Sequence, residues 1–199
     1  LNIVFFDFDG TITTADMYSK FLRFSASKRR AYIVNVALVP FLILYKIGLI
    51  SAHRMRSIAS FAAFGGRPVD VVTMTAKQYV DDVIPHFLRE KALDQLAWHK
   101  HKGDKIVIVS ASLNVYLRIW CAQHNVELIC TELAVKNNKF TGFCVNGDCS
   151  SNKKLEMIRN KYDLTDYNEV YAYGDTKEDA DMLRIADHAY YNWKPFSKD

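Results

Sequence analysis

The 199-residue chain carries 26 lysines and arginines against 22 aspartates and glutamates, a net charge of +4, and half of its residues are hydrophobic. That balance excludes an intrinsically disordered chain, and the charge is too mild to point to nucleic acid as a partner. The length suffices for one sizeable core, alone or with a smaller insert.

Four cysteines, Cys121, Cys130, Cys144 and Cys149, form no C-x-x-C pair, which argues against a zinc site. A chain of this size needs no disulfide framework, so reduced thiols in a cytoplasmic setting are expected. No secretory signal pattern opens the chain, and its start at Leu1 suggests that upstream residues have been trimmed.

In chain order, Asn2–Phe8 reads as a short, fully buried strand that ends at Gly10. Helical sequence follows from about Asp16 to Tyr79, with Pro40, Gly48 and Gly65–Gly66 as breaks. Leu88–His101 reads as an amphipathic helix with Leu88, Leu93, Leu96 and Ala97 on its apolar side. "GDKIVIVSAS" predicts a second buried strand, Lys105–Val109, that delivers Ser110. A helix over Leu113–His124 and a strand near Val126–Cys130 come next. "ELAVKNNKFTGF" predicts a β-hairpin turning at Asn137–Asn138, residues that tolerate positive φ. The last elements are a helix over Lys153–Lys161, a strand over Val170–Tyr173 ending at Gly174–Asp175, a helix over Glu178–Ile185 and an edge strand at His188–Tyr191.

Strands alternating with helices predict an α/β fold with a doubly wound parallel sheet, which binds its ligands beyond the carboxyl ends of the strands. The long strand-free stretch after the first strand reads as an inserted all-helical cap over 13–83, leaving 1–12 and 84–199 as the α/β core.

Chemistry concentrates at strand exits. Side chains alternate along a strand, so Asp7 and Asp9 are expected on one side of it, and Gly10 lets the backbone approach a ligand closely. Ser110 offers a hydroxyl at the second exit. Lys153 and Lys154 open a helix, where a cation is slightly unfavourable unless it has another duty. In "YGDTKEDADML", Asp175 and Asp179 can face one pocket. Each feature alone has an ordinary explanation in helix capping or a solvated surface.

Together, in this order, they resemble the haloacid dehalogenase superfamily of phosphatases. Asp7 and Asp9 match its D-x-D-G-T motif, Ser110 its hydroxyl motif, and Asp175 with Asp179 its G-D-x-x-x-D motif. Lys154, five residues after Cys149, matches the lysine motif of the subset with a helical insert, with Lys153 as the alternative. The resemblance implies that Asp7 is the nucleophile and Asp9 the general acid and base. It implies that Ser110, Lys154, Gly10, Thr11 and Ala111 hold the phosphate. It also implies that Mg²⁺ sits on Asp7, Asp175 and the backbone carbonyl of Asp9, with Asp179 orienting the site from behind.

The second acid, Asp9, points away from the family's dehalogenases, because a halide leaves without a proton. A phosphomutase or a non-catalytic phospholigand binder are the remaining alternatives. Within the superfamily the chain is similar to the phosphoserine-phosphatase-like branch, and within that to the bacterial phosphatidylglycerophosphatase C group. The substrate is accordingly a lipid phosphate or a small soluble phosphoester such as phosphoserine.

The run "KRRAYIVNVALVPFLILYKIGLI" passes from a basic triplet, Lys28–Arg30, into an apolar segment. Asn35, Pro40, Lys46 and Gly48 interrupt it, so a membrane span is not expected. A buried cap helix and a peripheral membrane contact both fit. The sequence leaves the oligomeric state open.

Overall fold

The computed structural model describes residues 1–26 and 38–197. A six-stranded sheet runs in the order β3-β2-β1-β6-β7-β8, formed by Glu127–Thr131, Lys105–Leu113, Ile3–Phe6, Val170–Gly174, His188–Tyr191 and Lys194–Pro195. All neighbours are parallel except β7 and β8. A separate antiparallel hairpin comprises β4 (Leu133–Lys136) and β5 (Lys139–Cys144). Its turn residues Asn137 and Asn138 have φ of 51° and 57°, as the asparagine pair predicts.

Strand β1 shows why this sheet is buried on both faces. Val4 and Phe6 enter one apolar cluster, whereas Ile3 and Phe5 enter another. All four side chains are fully buried, and each such burial contributes roughly 1.5–3 kcal/mol. Helices α1 (Met17–Ser25), α4 (Val69–Asp82), α5 (Glu90–His101) and α6 (Asn114–Gln123) supply the first cluster. Helices α7 (Asn152–Lys161) and α8 (Ala180–Arg184) supply the second.

Between β1 and β2 the described residues also hold a helix over 38–46 (α2) and α3 (Ala52–Phe64), and no strand. Helix α3 packs on β5, and α4 packs on α6, so these helices join the sheet's own core. Among the described residues no helix is long and apolar enough to cross a membrane. The basic triplet Lys28–Arg30 and the first part of the apolar run lie outside the described residues.

Several sequence expectations shift. Strand β1 stops at Phe6, because the chain turns at Asp7 rather than continuing to Phe8. Strand β2 runs past Ser110 to Leu113, with its pairing to β3 shifted between Ser110 and Leu113. Pro40 falls in the first described turn of α2, and the chain just before residue 38 lies outside the described residues. Helix α5 begins at Glu90, and its buried face holds Ala92, Leu96 and His99 while Ala97 is exposed. His99 buries by satisfying both ring nitrogens, on Asp104 and Tyr173. Strand β7 is an inner strand, because β8 adds outside it. The helix expected over Glu178–Ile185 divides into a short turn, Lys177–Asp179, and α8.

Candidate active site

The sheet order reverses at β1, whose neighbours β2 and β6 lead away in opposite directions. Such a switch point opens a crevice at the carboxyl ends of the strands. Here it is the floor of a cavity of about 840 Å³, lined by Asp7, Asp9, Gly10, Ala111, Ser112, Lys154 and Asp175.

The Asp7 N–H donates to the Tyr173 carbonyl at 2.9 Å, extending the β1–β6 ladder by one residue. The backbone then enters a wide turn, Phe8–Ile12, broken at Asp9 (φ −77°, ψ 117°) and Gly10 (φ 84°). Asp7 and Asp9 therefore share the cavity through this turn, not through strand alternation. A Cβ on Gly10 would lie 2.0 Å from Asp175 Oδ2, so the β1 and β6 exits approach closely only because residue 10 is glycine.

Lys154 settles between two acids. Its Nζ donates to Asp7 Oδ1 at 2.5 Å and to Asp179 Oδ1 at 2.6 Å, with 2% of its side chain exposed. Burial opposes the ammonium, but Asp7 and Asp179 outweigh that and hold it above the ordinary lysine value. Lys153 instead faces outward and pairs with Glu156. Both Asp179 oxygens are occupied, since Oδ2 accepts from the N–H groups of Asp175 and Thr176 and from the Thr176 hydroxyl. Burial opposes its ionisation, yet Lys154 keeps the Asp179 carboxyl below the usual range.

Asp9 is held on both oxygens. Oδ2 accepts from Ser112 Oγ at 2.6 Å and Ser110 Oγ at 3.2 Å, and Oδ1 accepts from the Met17 N–H at 2.6 Å. Part of Asp9 opens to the cavity, but the protein around it still pushes its carboxyl up to about 6 by burial, against the Ser112 hydrogen bond. Burial likewise raises Asp7 well above the usual carboxylate range, with Lys154 opposing.

Oxygens of Asp7, Asp175 and Asp179 lie within 4.8 Å of one another. Among the described residues, Asp7 Oδ2 and Asp175 Oδ2 accept no hydrogen bond, which leaves two carboxylate oxygens to ligate a cation. An all-oxygen set of this kind suits a hard divalent ion such as Mg²⁺.

The other expected residues are nearby in different roles. Ser110 is fully buried behind Asp9, and Ser112 rather than Ser110 reaches the cavity. Ser112 stands two residues further along the same strand, so period-two spacing in "SAS" could have found it. Thr11 spends its hydroxyl on Asp175 Oδ1 at 3.1 Å. Ala111 lines the cavity, and its carbonyl accepts from Thr131. Arg89, also missed, donates to the Gly10 carbonyl at 3.0 Å and steadies the turn.

A family model for haloacid dehalogenase-like hydrolases matches residues 4–184. The chain belongs to that family. It is 29% identical over 191 residues to Protein CicA of Caulobacter vibrioides, covering 95% of this chain and 85% of that protein. Among solved structures, a Bordetella pertussis Tohama I protein of unknown function superposes with a TM-score of 0.79 at 20% identity, over 96% of this chain and 89% of that one. A substrate-bound phosphoserine phosphatase gives 0.66 at 16% identity, over 95% and 84%. The fold is thus that of the phosphoserine-phosphatase-like branch of the haloacid dehalogenase superfamily.

Proposed function

We propose that this chain is a Mg²⁺-dependent phosphomonoester hydrolase that works through an aspartyl-phosphate on Asp7, and that its phosphate comes on an apolar molecule at the inner face of a membrane. Phosphatidylglycerophosphate is the first substrate to test. In this reading residues 13–83 act as the cap of a core formed by 1–12 and 84–199.

The observation that carries the lipid half is the cavity's roof. Above the carboxylate floor the wall holds Leu22, Leu38, Leu42, Tyr45, Met55 and Ala59. Leu38, Leu42 and Tyr45 recur at helical spacing, so one stripe of α2 faces the cavity. Its remaining faces stay apolar and open, with Val39 49% and Ile43 55% exposed. An apolar helix normally finds either a protein core or lipid, and α2 faces outward.

In the reaction, the Asp7 carboxylate attacks phosphorus, forming an O–P bond as the bond to the leaving oxygen breaks. Asp9 gives its proton to the leaving alkoxide and later takes one from the water that hydrolyses the aspartyl-phosphate, roles that a carboxyl near 6 suits. Lys154, Ser112 and the backbone N–H groups of Gly10, Thr11 and Ala111 hold the phosphoryl oxygens, while Ser110 holds Asp9 from behind. A Mg²⁺ ion, held by the Asp7 and Asp175 carboxylates and the Asp9 carbonyl, supplies charge neutralisation when bound. Asp179 orients Lys154, since neither of its oxygens is free.

A small soluble phosphoester is the second reading, favoured by the polar side chains Arg23, Asp16 and Ser19 on the same wall. Phosphate release from phosphatidylglycerophosphate in mixed micelles, beside phosphoserine and other soluble phosphoesters, decides between them. Turnover of the lipid alone supports the first reading. Efficient turnover of soluble esters with none of the lipid supports the second.

A further inference from the structure

Arg56 on α3 does not point its charge into the open cavity. Its Nε donates to Asp148 Oδ2 at 2.6 Å, and its Nη2 donates to the two Glu178 oxygens at 3.2 and 3.3 Å. Asp148 precedes α7, the helix that carries Lys154, and its side chain is 2% exposed. Its other oxygen accepts from Thr131 Oγ1 at the end of β3, so this anchor is fixed to the sheet. Glu178 lies in the turn that holds Asp179, three residues after Asp175. One planar guanidinium therefore grips both loops that deliver Lys154 and the paired aspartates, a fork geometry that lysine lacks.

The same helix also reaches Asp9. Tyr18 Oη donates to the Arg56 carbonyl at 2.8 Å and shares a hydrogen bond with Ser60, tying α3 to α1. Helix α1 begins at Met17, whose N–H holds Asp9 Oδ1. Arg56 thus stands where the roof of the cavity is joined to three of the strand exits that build its floor.

We propose that Arg56 is a positioning residue that clamps α3 onto the Asp148 and Glu178 loops, so that covering the cavity and aligning Lys154 with Asp175 and Asp179 are one event. It touches no reacting atom and acts through those loops. The kinetic arm of its test rests on the phosphatase reading above, and the exchange arm does not.

The experiment compares wild type with Arg56→Gln, Arg56→Lys and Glu178→Gln. Hydrogen exchange should quicken together in α3, in 145–151 and in 175–179 of Arg56→Gln, while β1 and β2 keep their protection. On the best phosphoester, kcat should fall about 10–100-fold with KM changing less, since misalignment near 1 Å costs up to that much. Arg56→Lys should recover only part of the loss, and Glu178→Gln should loosen 175–179 with a smaller loss. Exchange that quickens in α3 alone overturns the clamp, as does a raised KM at unchanged kcat, which would make Arg56 a substrate contact. If Arg56→Gln does not fold, the Glu178→Gln exchange pattern decides. A protein inactive on every phosphoester would refute the phosphatase reading while leaving the exchange result to judge the clamp.

Discussion

A methyl group at Gly10 would meet Asp175 Oδ2 at 2.0 Å, on a backbone whose φ of 84° already disfavours any L side chain. Gly10→Ala should therefore lower phosphatase turnover by at least about 100-fold through displacement of Asp175, checked by kinetics beside an unchanged far-UV spectrum. Asp7→Asn should abolish turnover, and Asp9→Asn should cost roughly 10²–10⁴-fold, the usual contribution of acid–base catalysis. Wild-type turnover by Asp7→Asn would rule out the covalent route. At this scale the sequence was most legible where charge sits at a strand exit, as at Asp7 and Asp175. It was least legible where a side chain's duty depends on a partner far along the chain. Arg56 and Arg89 carry no local sign of meeting Asp148 and the Gly10 carbonyl.

Elements were legible where hydrophobic periodicity decides them, and their ends were not. The wide turn after β1 and the continuation of β2 past Ser110 depend on tertiary pairing that no local pattern encodes. Helix α7 shows how phase on one element separates two neighbours, since adjacent helical residues diverge by about 100°. Lys154→Ala should cripple turnover and Lys153→Ala should leave it nearly unchanged, because only Lys154 reaches Asp7 and Asp179. Helix α5 carries a pH signature. Burial holds His99 below the ordinary histidine value, against Asp104, while nearby Lys102 lowers it further. Below the unfolded pKa of about 6.5 the unfolded chain binds a proton that folded His99 refuses, so stability falls as pH drops through that value. The raised carboxyl of Asp9 works in the opposite direction, so the comparison must be with His99→Gln. The urea midpoint of wild type should lose more between pH 7.5 and 5.5 than that of the variant; equal losses would remove His99 as the cause.

Over the whole molecule, the proposed membrane contact is tested on the exposed apolar side of α2. Ile43 and Ile47 are exposed and do not line the cavity. Ile43→Ser with Ile47→Ser should weaken co-sedimentation with anionic liposomes severalfold while leaving turnover of soluble phosphoesters intact. Equal sedimentation of both proteins, or none by wild type, would leave α2 without a membrane role. Chelation by EDTA should abolish turnover and added Mg²⁺ should restore it. Mixed α/β order was readable from alternating patterns, whereas the direction α2 faces was not. An all-apolar stretch specifies burial without naming what buries it.

The central place of β1 also governs when the molecule can form. Its first neighbour begins at Lys105 and its second at Val170, so the strand that leads into Asp7 closes contacts across most of the chain. Pairings so distant fold slowly, because loop closure precedes any reward from the ladder. During synthesis β1 and the apolar α2 emerge before β2 and β6, and such unpaired apolar segments are the ones prone to aggregate. Asp7 is made before either strand that flanks it, and its site is complete only when β6 is in place.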